Sequence, residues 1–215
     1  MKAGIIGSGI VGQVLARAFA LEGYDVMLGT RNPGKPELEK FSAANPSVTI
    51  GDFAATAAFG DILVLATGGS VTAEAIQLAG VSNFSGKVVI DATNPIAAAP
   101  PVNGVLQFFT GPNDSLLERN QALLPDAKLV KAFSCVGNAF MYKPSFPGGT
   151  PTMFIAGNDD EARATVTGIL TKFGWETADM GKAEAARAIE PLCILWCIPG
   201  ITQNQWQHAF KLLKA

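Results

Sequence analysis

The residues best suited to chemistry lie in a few short stretches, and the first is Gly7-Ser8-Gly9-Ile10-Val11-Gly12. It follows the apolar run Lys2-Ala3-Gly4-Ile5-Ile6 and opens a helix-period pattern from Gln13 to Leu21. In that setting G-x-G-x-x-G reads as a phosphate-binding turn. Gly7 permits the tight strand-to-helix turn, Gly9 lets a pyrophosphate approach the backbone, and Gly12 lets the helix pack closely on the strand. The unpaired amides and the positive end of the helix dipole then face the pyrophosphate. Spacing alone means little in a chain with 23 glycines; the position between strand and helix is what gives it weight. The stretch also mimics a secretory signal, with Lys2, an apolar run and Ala18-Phe19-Ala20. Three glycines and Arg17 interrupt that run, so no targeting segment is expected.

The second stretch is Gly29-Thr30-Arg31-Asn32, with Lys35 close behind and no acid before Glu37. A dinucleotide site specific for NAD places Asp or Glu here, to accept hydrogen bonds from the ribose 2′-hydroxyl. A carboxylate would repel a 2′-phosphate, whereas an Arg fork and a Thr hydroxyl bind one. The expected cofactor is therefore NADP(H).

Three further stretches end later strands: Ala66-Thr67-Gly68, Asn94-Pro95-Ile96, and Ser134, Cys135, Gly137 and Asn138. Ligands of open α/β sheets bind outside the carboxyl ends of the strands, which is why these loops are candidates. No Ser/His/Asp set appears, and the single histidine, His208, lies far from every strand-end loop. Asp159, Asp160 and Glu161 read as a helix start, so no metal site is expected. Cys193 and Cys197, one turn apart on an apolar helix, read as packing residues. Nothing beside Cys135 would lower its pKa. No catalytic acid, base or nucleophile is assigned. Hydride transfer between two redox cofactors fits this composition, because it needs orientation and exclusion of water more than a proton relay.

The elements that must position these residues alternate along the chain. Strands are expected at Tyr24–Leu28, Ser47–Ile50, Asp61–Ala66, Gly86–Asp91, Ala127–Ala132, Thr152–Ala156 and Trp175–Ala178. Helices are expected at about 36–44, 52–59, 71–79, 114–124 and 158–173, then 183–196 and 204–213. An irregular Pro- and Ala-rich loop spans 92–111. The reading is a single α/β domain over 1–215, a doubly wound, Rossmann-like and mostly parallel sheet, with 182–215 a C-terminal helical extension.

Composition agrees with one sizeable core: 215 residues, 48% hydrophobic and only 16% charged, with mean hydropathy +0.27. That is apolar for a monomer, so a subunit contact, and a homodimer, is expected. The net charge of −2 without long runs of one sign argues against nucleic acid and anionic membranes as partners. No apolar stretch is expected to span a bilayer, since the best one, Leu192–Ile198, is bracketed by Pro191 and Pro199. Three cysteines and one histidine fit a reducing cytoplasm.

With these residues in view, the chain resembles the NADPH-dependent oxidoreductases of the deazaflavin (coenzyme F-420) type. The matching pieces are Gly4 to Gly12, Gly29 to Pro33, Val130-Lys131-Ala132-Phe133, Phe154 to Asp160, and Ala185 to Leu192. The Thr-Arg-Asn-Pro turn is also similar to the cytoplasmic reductase domain of six-transmembrane ferric reductases. The resemblance implies an NADP(H) site at Gly7–Gly12 and Thr30–Asn32, with nicotinamide contacts from Thr67 and Asn94-Pro95-Ile96. It places a second cofactor or substrate near Ser134 to Asn138. There this chain departs from the family, with Cys135-Val136-Gly137-Asn138 in place of an apolar, proline-containing turn. The acceptor is left open between F-420, FMN, FAD and a small carbonyl or imine compound. The other readings are a reductase resembling the pyrroline-carboxylate reductases, for which no proton donor is evident, and an NADPH-binding sensor without turnover. A methyltransferase is disfavoured by Thr30-Arg31, where an acid would be wanted.

Overall fold

The computed structural model describes residues 1–214. Eight strands form one sheet: β1 (Lys2–Ile6), β2 (Asp25–Gly29), β3 (Val48–Gly51), β4 (Ile62–Leu65), β5 (Val88–Asp91), β6 (Lys128–Lys131), β7 (Thr152–Gly157) and β8 (Glu176–Asp179). Their order across the sheet is β3-β2-β1-β4-β5-β6-β7-β8. Every neighbouring pair is parallel except β6 and β7. The order reverses direction between β1 and β4, which opens a crevice at their carboxyl ends.

Helices cover both faces, so the central strands are apolar at successive positions rather than alternately. In β4, Ile62 and Val64 join the core beneath α1 (Ile10–Leu21) and α6 (Asp160–Lys172). Leu63 and Leu65 join the one beneath α3 (Phe53–Phe59), α4 (Thr72–Ala79) and α5 (Leu116–Leu123). Phe19 of α1 is fully buried and meets Tyr24 and Phe173 edge-on at 5.0 and 5.1 Å. Truncating it to Ala would cost about 3–5 kcal/mol. Local chemistry starts the helices as the sequence suggests: Asp52 and Asp159 accept the amides of Ala55 and Ala162 at 2.7 and 2.8 Å. The short helix α2 (Glu39–Ala44) follows a 3-10 turn at Pro36–Leu38.

The C-terminal region departs from expectation. A 3-10 turn (Ala183–Ala185) leads into α7 (Ala186–Ile189) and α8 (Leu192–Gln203). Pro191 stands just before α8, where its missing N–H costs nothing, and Pro199 is accommodated inside it. The prolines therefore do not bracket a short segment. Ala183–Gln203 forms a 21-residue run long and apolar enough to cross a membrane by length and composition, a third of it buried against the domain. The expectation that no stretch reaches that length is corrected on this point.

The helix expected at 204–213 does not form. Asn204 ends α8 in a left-handed conformation (φ 55°), and residues 205–214 follow without regular secondary structure. The Thr152 amide donates to the Phe210 carbonyl at 2.9 Å, and the Leu212 amide to Thr152 Oγ1 at 3.0 Å. Backbone pairing with the start of β7 outcompetes an isolated helical turn. The 92–111 loop is also more ordered than its composition suggests, folding back on itself through Ile96–Phe108 and Val102–Val105 bridges.

Candidate cofactor site

The glycine turn sits where the strand order reverses. Gly7 has φ +124°, and a Cβ there would run into the Ala66 carbonyl. A Cβ on Gly12 would overlap the Gly7 carbonyl, so α1 could not start so close to β1. Gly9 differs from both: among the described residues, no atom beyond its own chain neighbours lies within 4 Å of where its Cβ would be. Its openness is toward the crevice. Gly9 also occupies the N-cap position without a side-chain cap, so no side chain satisfies the first amides of α1.

Two cavities meet there. One, of about 240 Å³, is lined by Gly7, Ser8 and Gly9, by Thr30, Arg31 and Lys35, by Ala66, Thr67 and Gly68, and by Phe53, Val71, Glu74 and Ala75. The second, of about 350 Å³, takes in Gly9, Ile10, Val11, Ala66, Thr67, Gly68, Ala92, Asn94 and Ile96, among others. They share Gly9 and Ala66 to Gly68, so together they make one trough along the carboxyl ends of β2, β1, β4 and β5. Thr30 is buried and its Oγ1 accepts the Asn32 amide at 3.3 Å, while Asn32 Oδ1 accepts the Gly34 amide at 3.2 Å. That turn leaves Arg31 projecting into the trough, its side chain 63% exposed. Thr67 and Thr72 share a hydroxyl hydrogen bond of 2.9 Å, which fixes the start of α4. At the far end, Asn94 Oδ1 is buried and finds no hydrogen-bond partner among the described residues. A basic side chain at one end and open backbone in the middle suit an extended anionic dinucleotide.

Residues 2–95 match the family model described as NADP oxidoreductase, coenzyme F-420-dependent. A crystal structure from Arthrobacter sp. FB24, provisionally named an F-420-dependent NADP reductase, superposes with TM-score 0.93 at 30% identity, each chain covered in full. The chain belongs to the F-420-dependent NADP oxidoreductase family. It is 28% identical over 207 residues to metalloreductase STEAP3 of Rattus norvegicus, and the match takes in 92% of this chain but 38% of that protein. An imine reductase from Aspergillus terreus shares the fold at 15% identity and TM-score 0.64, over 90% of this chain and 59% of that one.

The oxidoreductase does not bring every expected residue into the trough. Ser134, Cys135, Gly137 and Asn138 line neither cavity. Ser134 and Cys135 are 2% and 1% exposed, and Cys135 Sγ points toward Thr152 and Met153 on β7. A Cβ on Gly137 would strike the Trp196 ring of α8. Trp196 of the C-terminal helix thus packs on this turn at Gly137, while Ser134 Oγ is buried and, among the described residues, finds no hydrogen-bond partner. Burial pushes the Cys135 thiol up to about 11, as befits a packing residue. Cys193 is raised by its hydrogen bond to Cys197 and by burial. His208 stacks on Trp196 at 5.0 Å, with Nε2 2.9 Å from the Trp196 carbonyl, and serves that packing.

Two features of the site escape a reading of the sequence. Glu74 of α4 reaches the trough and places Oε1 3.8 Å from Arg31 Nη1. The absence of an acid at the end of β2 therefore does not leave the region free of one. In addition, a cluster of Asp91, Lys131 and Glu190 lies wholly buried beneath the Asn94 loop. Lys131 and Glu190 stand in quoted motif stretches, yet nothing local signals that they meet.

Proposed function

We propose that this NADP-dependent oxidoreductase moves hydride between NADPH and a flavin-like acceptor, with F-420 the first candidate and FMN or FAD the others. The observation that carries the reading is the continuous trough from Arg31 to Asn94. In this reading the amides of Gly7 to Gly12 hold the pyrophosphate, aided by Ser8, Ile10 and Val11. Thr30, Arg31, Asn32 and Lys35 take the 2′-phosphate, and Ala66, Thr67 and Gly68 line the middle. Asn94, Pro95 and Ile96 receive the nicotinamide, with Asn94 and Ile96 lining that end of the trough. Bound NADPH supplies the hydride; the protein's part is to orient the ring and exclude water.

The acceptor site lies where the nicotinamide end opens. Ile10 and Ile96, 60% and 39% exposed, flank it and offer apolar surface to a planar ring. The reading includes a homodimer, supported by exposed apolar residues such as Leu195 and Ile201 on α8. It also includes work in the cytoplasm on small-molecule redox partners, supported by free cysteines and the family. The test is NADPH oxidation, followed at the nicotinamide absorbance band, against F-420, FMN, FAD, ferric chelates and cyclic imines. Turnover with a flavin-like acceptor is expected. Turnover with imines alone, or tight NADPH binding without turnover on any acceptor, would replace this reading by a reductase of imines or by a sensor.

A further inference from the structure

Beneath the nicotinamide end of the trough, three ionisable side chains from three distant parts of the chain meet out of contact with water. Lys131 ends β6, Asp91 ends β5 and Glu190 stands between α7 and α8; their side chains are 0%, 0% and 1% exposed. Lys131 Nζ lies 3.2 Å from Asp91 Oδ1 and 2.9 Å from Glu190 Oε1, and donates to the Thr93 carbonyl at 2.8 Å. The Thr93 carbonyl takes one ammonium proton, and the two carboxylates lie within ion-pair distance of the same nitrogen. Glu190 accepts the amides of Leu116 and Leu117, each at 2.9 Å, so one carboxylate caps the first turn of α5. Asp91 Oδ1 accepts the Thr93 amide at 2.8 Å and hydroxyl at 2.6 Å, while Oδ2 accepts Asn120 Nδ2 at 3.0 Å.

Such a cluster is a poor means of adding stability. Desolvation offsets most of the attraction, and apolar packing of the same volume usually does as well. What it does supply is position. Thr93 is gripped at its amide, its hydroxyl and its carbonyl, and the next residue is Asn94, whose Oδ1 is buried and finds no partner among the described residues. The Asn94 carbonyl in turn accepts the Ile96 amide at 2.9 Å and lies so close to Gly69 that a Cβ there would overlap it.

We propose that Asp91, Lys131 and Glu190 are positioning residues that fix the Thr93–Ile96 backbone, and with it Asn94, against the nicotinamide. The C-terminal helices are thereby part of the cofactor site, although no residue of theirs lines the trough. This rests on the placement of the nicotinamide under Proposed function.

Two variants of the full chain test it, Glu190→Gln and Thr93→Val. The second removes one hydroxyl and leaves all three charges. Two ligands are titrated: NADPH, and 2′-phospho-ADP-ribose, which lacks the nicotinamide. The fluorescence lifetime of bound nicotinamide is recorded for NADPH. Both variants should hold the nicotinamide-free fragment within about twofold of wild type, because its contacts lie at the other end of the trough. Their bound-nicotinamide lifetime should fall most of the way to that of free NADPH, and NADPH affinity should drop toward that of the fragment. If Glu190→Gln does not fold, Thr93→Val decides. Wild-type lifetimes in a folded variant, or equal weakening of both ligands, overturns the proposal while leaving NADPH binding intact. So does a wild-type lifetime equal to that of free NADPH. A wild-type protein that binds neither ligand overturns the functional reading itself, and this proposal with it.

Discussion

Replacing Arg31 with Ala should convert a protein that prefers NADPH into one that barely distinguishes it from NADH. Arg31 stands 63% exposed with its nearest carboxylate, Glu74, 3.8 Å away. That separation is too long for a hydrogen bond, and an exposed pair of this kind is worth about 0–1 kcal/mol. Glu74 therefore does not hold Arg31 firmly, and a 2′-phosphate can take the guanidinium at little cost. A hydrogen bond to a charged group contributes about 1.5–3 kcal/mol. The expected loss of NADPH affinity in Arg31→Ala is thus about 10- to 150-fold, at about 1.4 kcal/mol per decade. Arg31→Glu should lose more, because attraction becomes repulsion. Glu74→Gln should go the other way, tightening NADPH by up to about fivefold, an effect that fades as salt is raised. Fluorescence titration with NADPH and NADH measures all three. Unchanged NADPH affinity in Arg31→Glu would refute the argument. So would an equal loss for NADH in Arg31→Ala, since Arg31 would then be serving the fold or the adenine.

The glycine turn yields a contrasting pair: Gly9→Ala should melt like wild type but bind NADPH poorly, since the added methyl meets no atom of the described residues beyond its chain neighbours and fills the phosphate's approach. Gly12→Ala should lose both binding and about 1–3 kcal/mol of stability, visible in urea unfolding, because its methyl overlaps the Gly7 carbonyl. Cys135, with its thiol raised by burial to about 11, should resist iodoacetamide in the folded protein at pH 8 and react once unfolded. Its folded pKa exceeds the ordinary value of 9.0, so the unfolded chain releases this proton first. Stability from this group is fully present below pH 9 and falls as pH rises toward 11, a slope that Cys135→Val should remove from denaturant midpoints. His208→Ala should leave turnover unchanged with any acceptor the wild type accepts, while lowering the thermal midpoint through the lost stacking on Trp196.

Much of the nucleotide half of the site was legible because its signals are local. Gly7, Gly9 and Gly12 occupy one turn, and their tasks follow from backbone geometry that any strand-to-helix turn of this kind must satisfy. Thr30 and Arg31 end the next strand, so their place beside the turn follows from the parallel order of β1 and β2. The acceptor side was not legible in the same way. Ser134 and Cys135 follow a strand as Thr30 does, yet both are buried, and Trp196 of α8 packs on the same turn at Gly137, which depends on where a helix sixty residues later lies. The segment 204–213 has a helix-compatible composition, but its end is tied to Thr152 at the start of β7 by hydrogen bonds at Phe210 and Leu212, and no helix forms.

By itself, then, the sequence determined the alternation of strands and helices, the glycine turn between β1 and α1, and the cation that follows β2. Each rests on residues within a turn or two of one another, where propensity and backbone sterics act directly. Only the tertiary structure decided that Glu74 faces Arg31, that Trp196 of α8 packs on the turn at Gly137, and that Asp91, Lys131 and Glu190 meet beneath Asn94. Those contacts join residues far apart in the chain. Their existence depends on the order of strands and on which helix faces which, and a local pattern of residue types does not encode either.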